Sequence, residues 1–181
     1  MAQEQAQFDG TLAKEKSHEV GVIASVHWFD IPNGLEVTED IDNYTLGEVK
    51  VVDGKRVVAQ ATAETKTEDA VLIAAVERQY VNLAPYAGLD AFYNAKGEHA
   101  VVVHLTRPLQ FETSAFTGDL VIGDVAAWDG KKFAKFVDSS PDSVEGKKTS
   151  APAKFTVVAG KEDVTHTLIA GKETVILEFY K

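Results

Sequence analysis

The chain is a succession of short apolar runs, each followed by a turn signal. GVIASVH, LGEVKVV, KRVVA, AVLIAAV, HAVVVHL, DLVIG, KFTVVA and ETVILEFY follow one another, with glycines such as Gly34, Gly47, Gly54, Gly97, Gly118, Gly130, Gly160 and Gly171 between them. Valine supplies 23 residues, and β-branched side chains suit a pleated, half-buried surface. Runs of this length at this spacing predict a mainly β protein of sandwich or barrel type, not a βαβ fold.

Two hairpins stand out. Residues 47–53 and 55–61 flank Asp53-Gly54, and residues 123–128 and 131–137 flank Asp129-Gly130. Asp-Gly accepts positive φ at both central positions, as a two-residue type I′ turn requires. The segments also match each other. LGEVKVVDGKRVVA (46–59) aligns without gaps on IGDVAAWDGKKFAK (122–135), 76 residues later. Two readings stay open: a duplicated β module, or two hairpins that converged on the same turn chemistry.

TEDAVLIAAVERQYV (67–81) has a helix-capping start but a continuous apolar run from Val71 to Val76, and we assign it to a strand. EHAVVVHL (98–105) and QFETSAF (110–116) read as further strands, the latter with Phe111, Thr113 and Ala115 on its inner face. Residues 85–94 are expected to hold one helical turn. Residues 138–152 hold two prolines and four serines with almost no bulky apolar side chain, and read as a linker. The first twenty residues are polar, with Phe8 and Leu12 the main apolar side chains, and read as an extended arm or a frayed terminus. The expected organisation is an N-terminal arm and first strand (1–36), a main β domain (37–121) and a smaller C-terminal β unit (122–181).

Composition narrows the chemistry. The chain has 181 residues, no cysteine and a net charge of −10. The missing thiols exclude disulfides, thiolate zinc sites and cysteine nucleophiles. The acidity argues against nucleic acid as a partner, and it is uneven: residues 1–90 carry seven basic and sixteen acidic side chains. No apolar stretch approaches the ~20 residues of a membrane-spanning helix. The start lacks a signal-peptide pattern, so synthesis in the cytoplasm is expected. The sequon Asn43-Tyr44-Thr45 is accordingly read as turn chemistry.

No phosphate-binding glycine loop and no nucleophile elbow occurs. The histidines form no H-x-H or H-E-x-x-H, and His99 and His104 are expected on opposite faces of a strand. The acidic cluster Glu39 to Asn43 lacks the spacing and glycine of an EF-hand. We assign no catalytic, cofactor or metal residue. The aromatic side chains carry more information. Trp28 and Phe29 end the first β-like run, and Tyr86, Phe92 and Tyr93 cluster in one loop. Together with Phe8 and Leu12 they are the candidate partner contacts, since aromatics anchor interfaces; core packing is the alternative role.

The order of Ala70–Tyr80, Asp90-Ala91-Phe92-Tyr93-Asn94, the Ala95-Lys96-Gly97 turn, HAVVVHL, FETSAF and GDLVIGDVAAWDG resembles small virion structural proteins of tailed bacteriophages, particularly those of Gram-positive hosts. The resemblance covers roughly residues 45–130 and lacks one glycine, the segment here being Leu105-Thr106-Arg107-Pro108. It implies a non-enzymatic decoration or cement protein on the capsid exterior. The implied partner is the major capsid protein, and the chain would be a homo-oligomer, a trimer fitting a threefold lattice site. The alternatives are a tail, neck or head-fibre component, or a carbohydrate-binding β module for host glycans.

Overall fold

Asp53 and Gly54 both adopt positive φ, 51° and 76°, the backbone of a type I′ turn. The computed structural model describes residues 18–25, 29–74, 93–137, 153–163 and 172–179. It places this turn between β4 (Leu46–Val52) and β5 (Lys55–Gln60), in register from Gly47↔Gln60 to Val52↔Lys55. The first expected hairpin is therefore present.

Around it a sheet closes on itself. β5 runs parallel to β2 (Leu35–Val37), and β4 antiparallel to β6 (Ala70–Ile73). β6 pairs with β9 (Val102–His104), while β8 (His99–Ala100) pairs with β2. Only Val101 separates β8 from β9, so residues 98–104 join both edges of the sheet and complete a small five-stranded barrel. The single strand expected over 98–105 is thus bent in the middle, because its two halves bond along different neighbours. Leu35, Val37, Val58, Val71, Ile73, Ala100 and Val102 fill the interior. Gly47 also faces inward: a Cβ there would stand 2.5 Å from Val58 Cγ2 and 2.7 Å from Ile73 Cδ1. β3 (Ile41–Asp42) and β7 (Tyr93–Asn94) form a separate short pair.

The second sheet repeats the scheme. Its strands are β10 (Gln110–Thr113), β11 (Val125–Trp128), β12 (Phe133–Lys135), β13 (Lys154–Ala159) and β14 (Val175–Phe179), with β1 (Gly21–Ile23) added beside β10. The chain beyond β10 returns to β12: Phe133 N donates to Ala115 O at 2.8 Å, and Thr117 N to Phe133 O at 2.9 Å. Within each barrel the second and third strands form the Asp-Gly hairpin. The third runs parallel to the first, the second pairs with the fourth, and the fifth returns to the first. Inside the second barrel Phe133 and Phe155 meet edge to face at 5.2 Å, with Phe111 and Trp128 against them.

The duplication lies in topology, not in the aligned side chains. Trp128 pairs with Phe133, so the second hairpin has a four-residue loop instead of the expected two. Asp129 Oδ1 accepts the Lys131 and Lys132 amides at 2.8 and 2.7 Å and holds that longer turn. Val49 and Val58 pack toward the first barrel's interior, whereas their aligned partners Val125 and Ala134 are only half-buried. In the second barrel Ala126, Trp128 and Phe133 are buried instead. A one-residue change of phase exchanges the two faces of a strand.

The expected boundary between residues 121 and 122 does not separate the sheets. β11–β14 share their sheet with β10 and with β1, so the second unit needs strands from both earlier segments. One apolar cluster also joins Tyr44, Leu46, Leu72 and Val103 of the first barrel to Phe111, Phe155 and Leu177 of the second. Leu46, Leu72 and Val103 form a registered row across β4, β6 and β9. Alternate residues Val71 and Ile73 fill the barrel, so all four residues of β6 are buried. Trp128 Nε1 adds a buried hydrogen bond to Ala61 O at 2.9 Å.

The strand assigned to 67–81 is present as Ala70–Ile73. Its continuation past Ala74, the 138–152 linker, the run Val164–Ala170 and residues 85–92 of the helical turn expected over 85–94 lie outside the described residues; the last two residues of that turn, Tyr93 and Asn94, form β7 instead. QFETSAF forms β10 as expected, with Phe111, Thr113 and Ala115 fully buried. Its outer residues Glu112 and Ser114 are buried too, because Thr174 and the segment around Val20 cover them. Among the described residues there is no helix.

Leu72→Ala should lower stability by about 2–5 kcal/mol, as a large-to-small change in a closed core does. Gly47→Ala should cost about 1–3 kcal/mol through overpacking. Denaturant titration of both variants checks this; a loss below about 0.5 kcal/mol for Leu72→Ala would contradict its burial between two cores.

Candidate partner-binding surface

Three features lie outside the barrel cores. The first is the root of the N-terminal segment. Val20 N donates to Ser114 Oγ at 2.9 Å, Ser114 N donates to Val20 O at 2.9 Å, and Ser114 Oγ donates to Glu19 Oε2 at 2.5 Å. Glu19 Oε1 also lies 3.1 Å from Lys132 Nζ. His18 Nδ1 lies 2.6 Å from Asp42 Oδ1, and its ring stacks on Tyr93 at 4.7 Å. Lys172 Nζ donates to the His18 carbonyl. The second barrel and the β3–β7 pair therefore grip residues 18–20. Charge-assisted hydrogen bonds of this kind are the stronger ones.

The second feature is an open groove of about 710 Å³ between the end of β9 and the end of β14. Phe29, Ala70, Leu105 and Phe179 give it an apolar lining, with Glu68 and His104 among the polar groups. His104 N donates to Phe29 O at 2.8 Å, which holds the Phe29 backbone against β9. The Phe29 ring remains 65% exposed. A shallow apolar groove with an exposed ring offers a surface that another side chain can pack on.

Of the candidate contacts, the structure places Phe29 in the groove and Tyr93 against His18, where it supports the root of the N-terminal segment. Phe8, Leu12, Trp28, Tyr86 and Phe92 lie outside the described residues. Sequence reasoning missed His18, Glu19 and Ser114, because their partners lie 23 or more residues away along the chain. It also missed Val51 and Val52, which are exposed at the first hairpin tip; VKVVDGKRVV is apolar on both faces there, so alternation gives no sign of which face is covered. His99 and His104 are both exposed, and among the described residues no three histidine or acidic side chains cluster in a way that could hold a metal ion.

A third surface is the loop before β11, where Val121 and Ile122 are exposed. Lys135 Nζ stands 2.6 Å from Asp124 Oδ1, and the Val121 amide donates to Asp124 Oδ2 at 3.2 Å. The Lys135 hydrogen bond, helped by that amide, holds the Asp124 carboxyl below its ordinary value. Lys161 does the same for Asp119, and Asp119 in return raises the Lys161 ammonium.

The described residues form two β-barrels with filled interiors and a shared apolar cluster, and apolar side chains such as Phe29 stay exposed outside them. The matching family model, described as YonC prophage protein, spans residues 14–180. The chain belongs to that family. It is 30% identical over 174 residues to the SPbeta prophage-derived uncharacterized protein YonC of Bacillus subtilis strain 168, covering 92% of this chain and 93% of that one. No solved structure matches. The bacteriophage origin implied by the sequence resemblance therefore holds.

A depressed carboxyl contributes stability above its unfolded-state pKa and loses it as pH falls through the folded value. The 119–124 loop should accordingly loosen only below the ordinary carboxylate range. Lys135→Ala should move the Asp124 titration, followed by carboxyl NMR, back up toward 3.8. An unchanged Asp124 titration in that variant would show that Lys135 is not the cause.

Proposed function

We propose that this chain is a non-enzymatic structural protein of a phage virion. In this reading it binds the major capsid protein lattice from outside, as a decoration or cement protein, and stabilises the head. The observation that carries the reading is the contrast between filled barrel interiors and apolar side chains left outside, above all Phe29 over its open groove. Membership of a prophage family supports a role in the phage cycle. The clamp on residues 18–20 supplies a fixed base for an N-terminal arm that reaches a neighbouring capsid subunit. Repetition over a lattice would let modest contacts add up to firm binding. A net charge of −10 keeps such a protein soluble before assembly and away from the packaged genome.

The test is co-sedimentation of the purified chain with capsids of Bacillus phages, against heads of an unrelated phage. Saturable binding at a fixed copy number is expected, and Phe29→Asp should weaken it about tenfold or more without altering the melting temperature. Absence of binding to every head would overturn the decoration role and favour placement in the tail or neck, or recognition of host glycans.

A further inference from the structure

The β4–β5 hairpin ends in a tip whose side chains are unusual for an acidic protein. Val51 is 72% exposed and Val52 48% exposed. Their cross-strand partners are Arg56 and Lys55, and Lys50 stands beside them. Lys50 reaches Glu48 at 3.4 Å. Among the described residues no carboxylate lies within ion-pair distance of Lys55 or Arg56. The tip thus combines two uncovered valines with three cations and one carboxylate, Asp53 of the turn, an excess of positive charge on a chain of net charge −10.

The Phe29 groove offers the complement. Its lining is apolar, through Phe29, Leu105 and Phe179, and Glu68 supplies a carboxylate; Asp69 is its neighbour in the chain. The two features are also close together. Glu48 pairs with Ala70, a groove residue, and Val49 N donates to Asp69 O at 2.9 Å. Val52 is three residues further along the same strand, a distance of ~10 Å at the usual rise.

We propose that the hairpin tip of one copy enters the Phe29 groove of a second copy, reciprocally, in a twofold dimer. A twofold interface must be self-complementary, with one patch carrying both halves of the contact. A basic valine tip beside an acidic apolar groove meets that requirement. Val51 and Val52 cover the Phe29 ring and the apolar lining, while Lys55 and Arg56 face Glu68 and Asp69. Such a patch is satisfied by two copies, unlike the trimer that a threefold lattice site would accept. The inference uses the same Phe29 groove as the capsid reading, so a second copy and the lattice would compete for it; the solution test below concerns the chain alone and can fail without capsid binding failing.

Sedimentation equilibrium of the full chain over a wide concentration range tests it. A monomer–dimer equilibrium that weakens with added salt is expected. The double variant Lys55→Glu, Arg56→Glu should raise the dimer Kd at least about tenfold, and Glu68→Lys alone should also raise it. Combining all three changes should recover a substantial part of the loss, which simple damage to the fold would not do. Unchanged circular dichroism and melting temperature show that each variant is folded. A monomer at every concentration, or a dimer indifferent to both reversals, would overturn the proposal.

Discussion

The fold depends on one constraint: β6 along its whole length, β4 at Leu46–Gly47 and β9 at Val102–Val103 are buried on both faces. Their inward residues fill the first barrel, and their outward row Leu46–Leu72–Val103 closes the core shared with the second. Burying a large aliphatic side chain contributes roughly 1.5–3 kcal/mol, so this row alone binds the two units firmly. An isolated β unit of about 60 residues would be marginal. Sharing a core removes that difficulty, and it explains why the second unit takes β1 and β10 from outside the C-terminal segment.

The same constraint sets what stays open outside the cores. Each barrel interior is filled with side chains: valines, leucines and a glycine in the first, a cluster of aromatic rings in the second. What remains is a groove where the barrels meet, a hairpin tip that projects past its barrel, and a clamp that fixes residue 18.

Parts of this were legible in the chain itself. Valine-rich runs and the two Asp-Gly pairs carry local information, since β-branching and positive φ are properties of single residues and their neighbours. The first hairpin follows directly from them. The second departs by two loop residues because the Asp129 carboxylate captures two amides of its own turn, which a dipeptide pattern does not reveal. The match between 46–59 and 122–135 is a true sign of repeated topology, yet it misplaces the buried faces, because strand phase is set by what packs above and below. Of the candidate contacts, Phe29 was named as an aromatic after a β-like run with core packing as the alternative, and its exposure came only with the structure. The clamp of Glu19 and Ser114, 95 residues apart, was not.

The sequence by itself determined the class: a cysteine-free, acidic, mainly β protein with hairpins at defined turns and without recognisable catalytic motifs. Those properties follow from local backbone preference and composition. Only the tertiary structure decided that residues 98–104 close a barrel, that β1 crosses to the second sheet, and which valines face water. Closure and facing are long-range outcomes. They depend on hydrogen bonds and apolar contacts between strands far apart in the chain, and no local pattern encodes which edge a strand will meet.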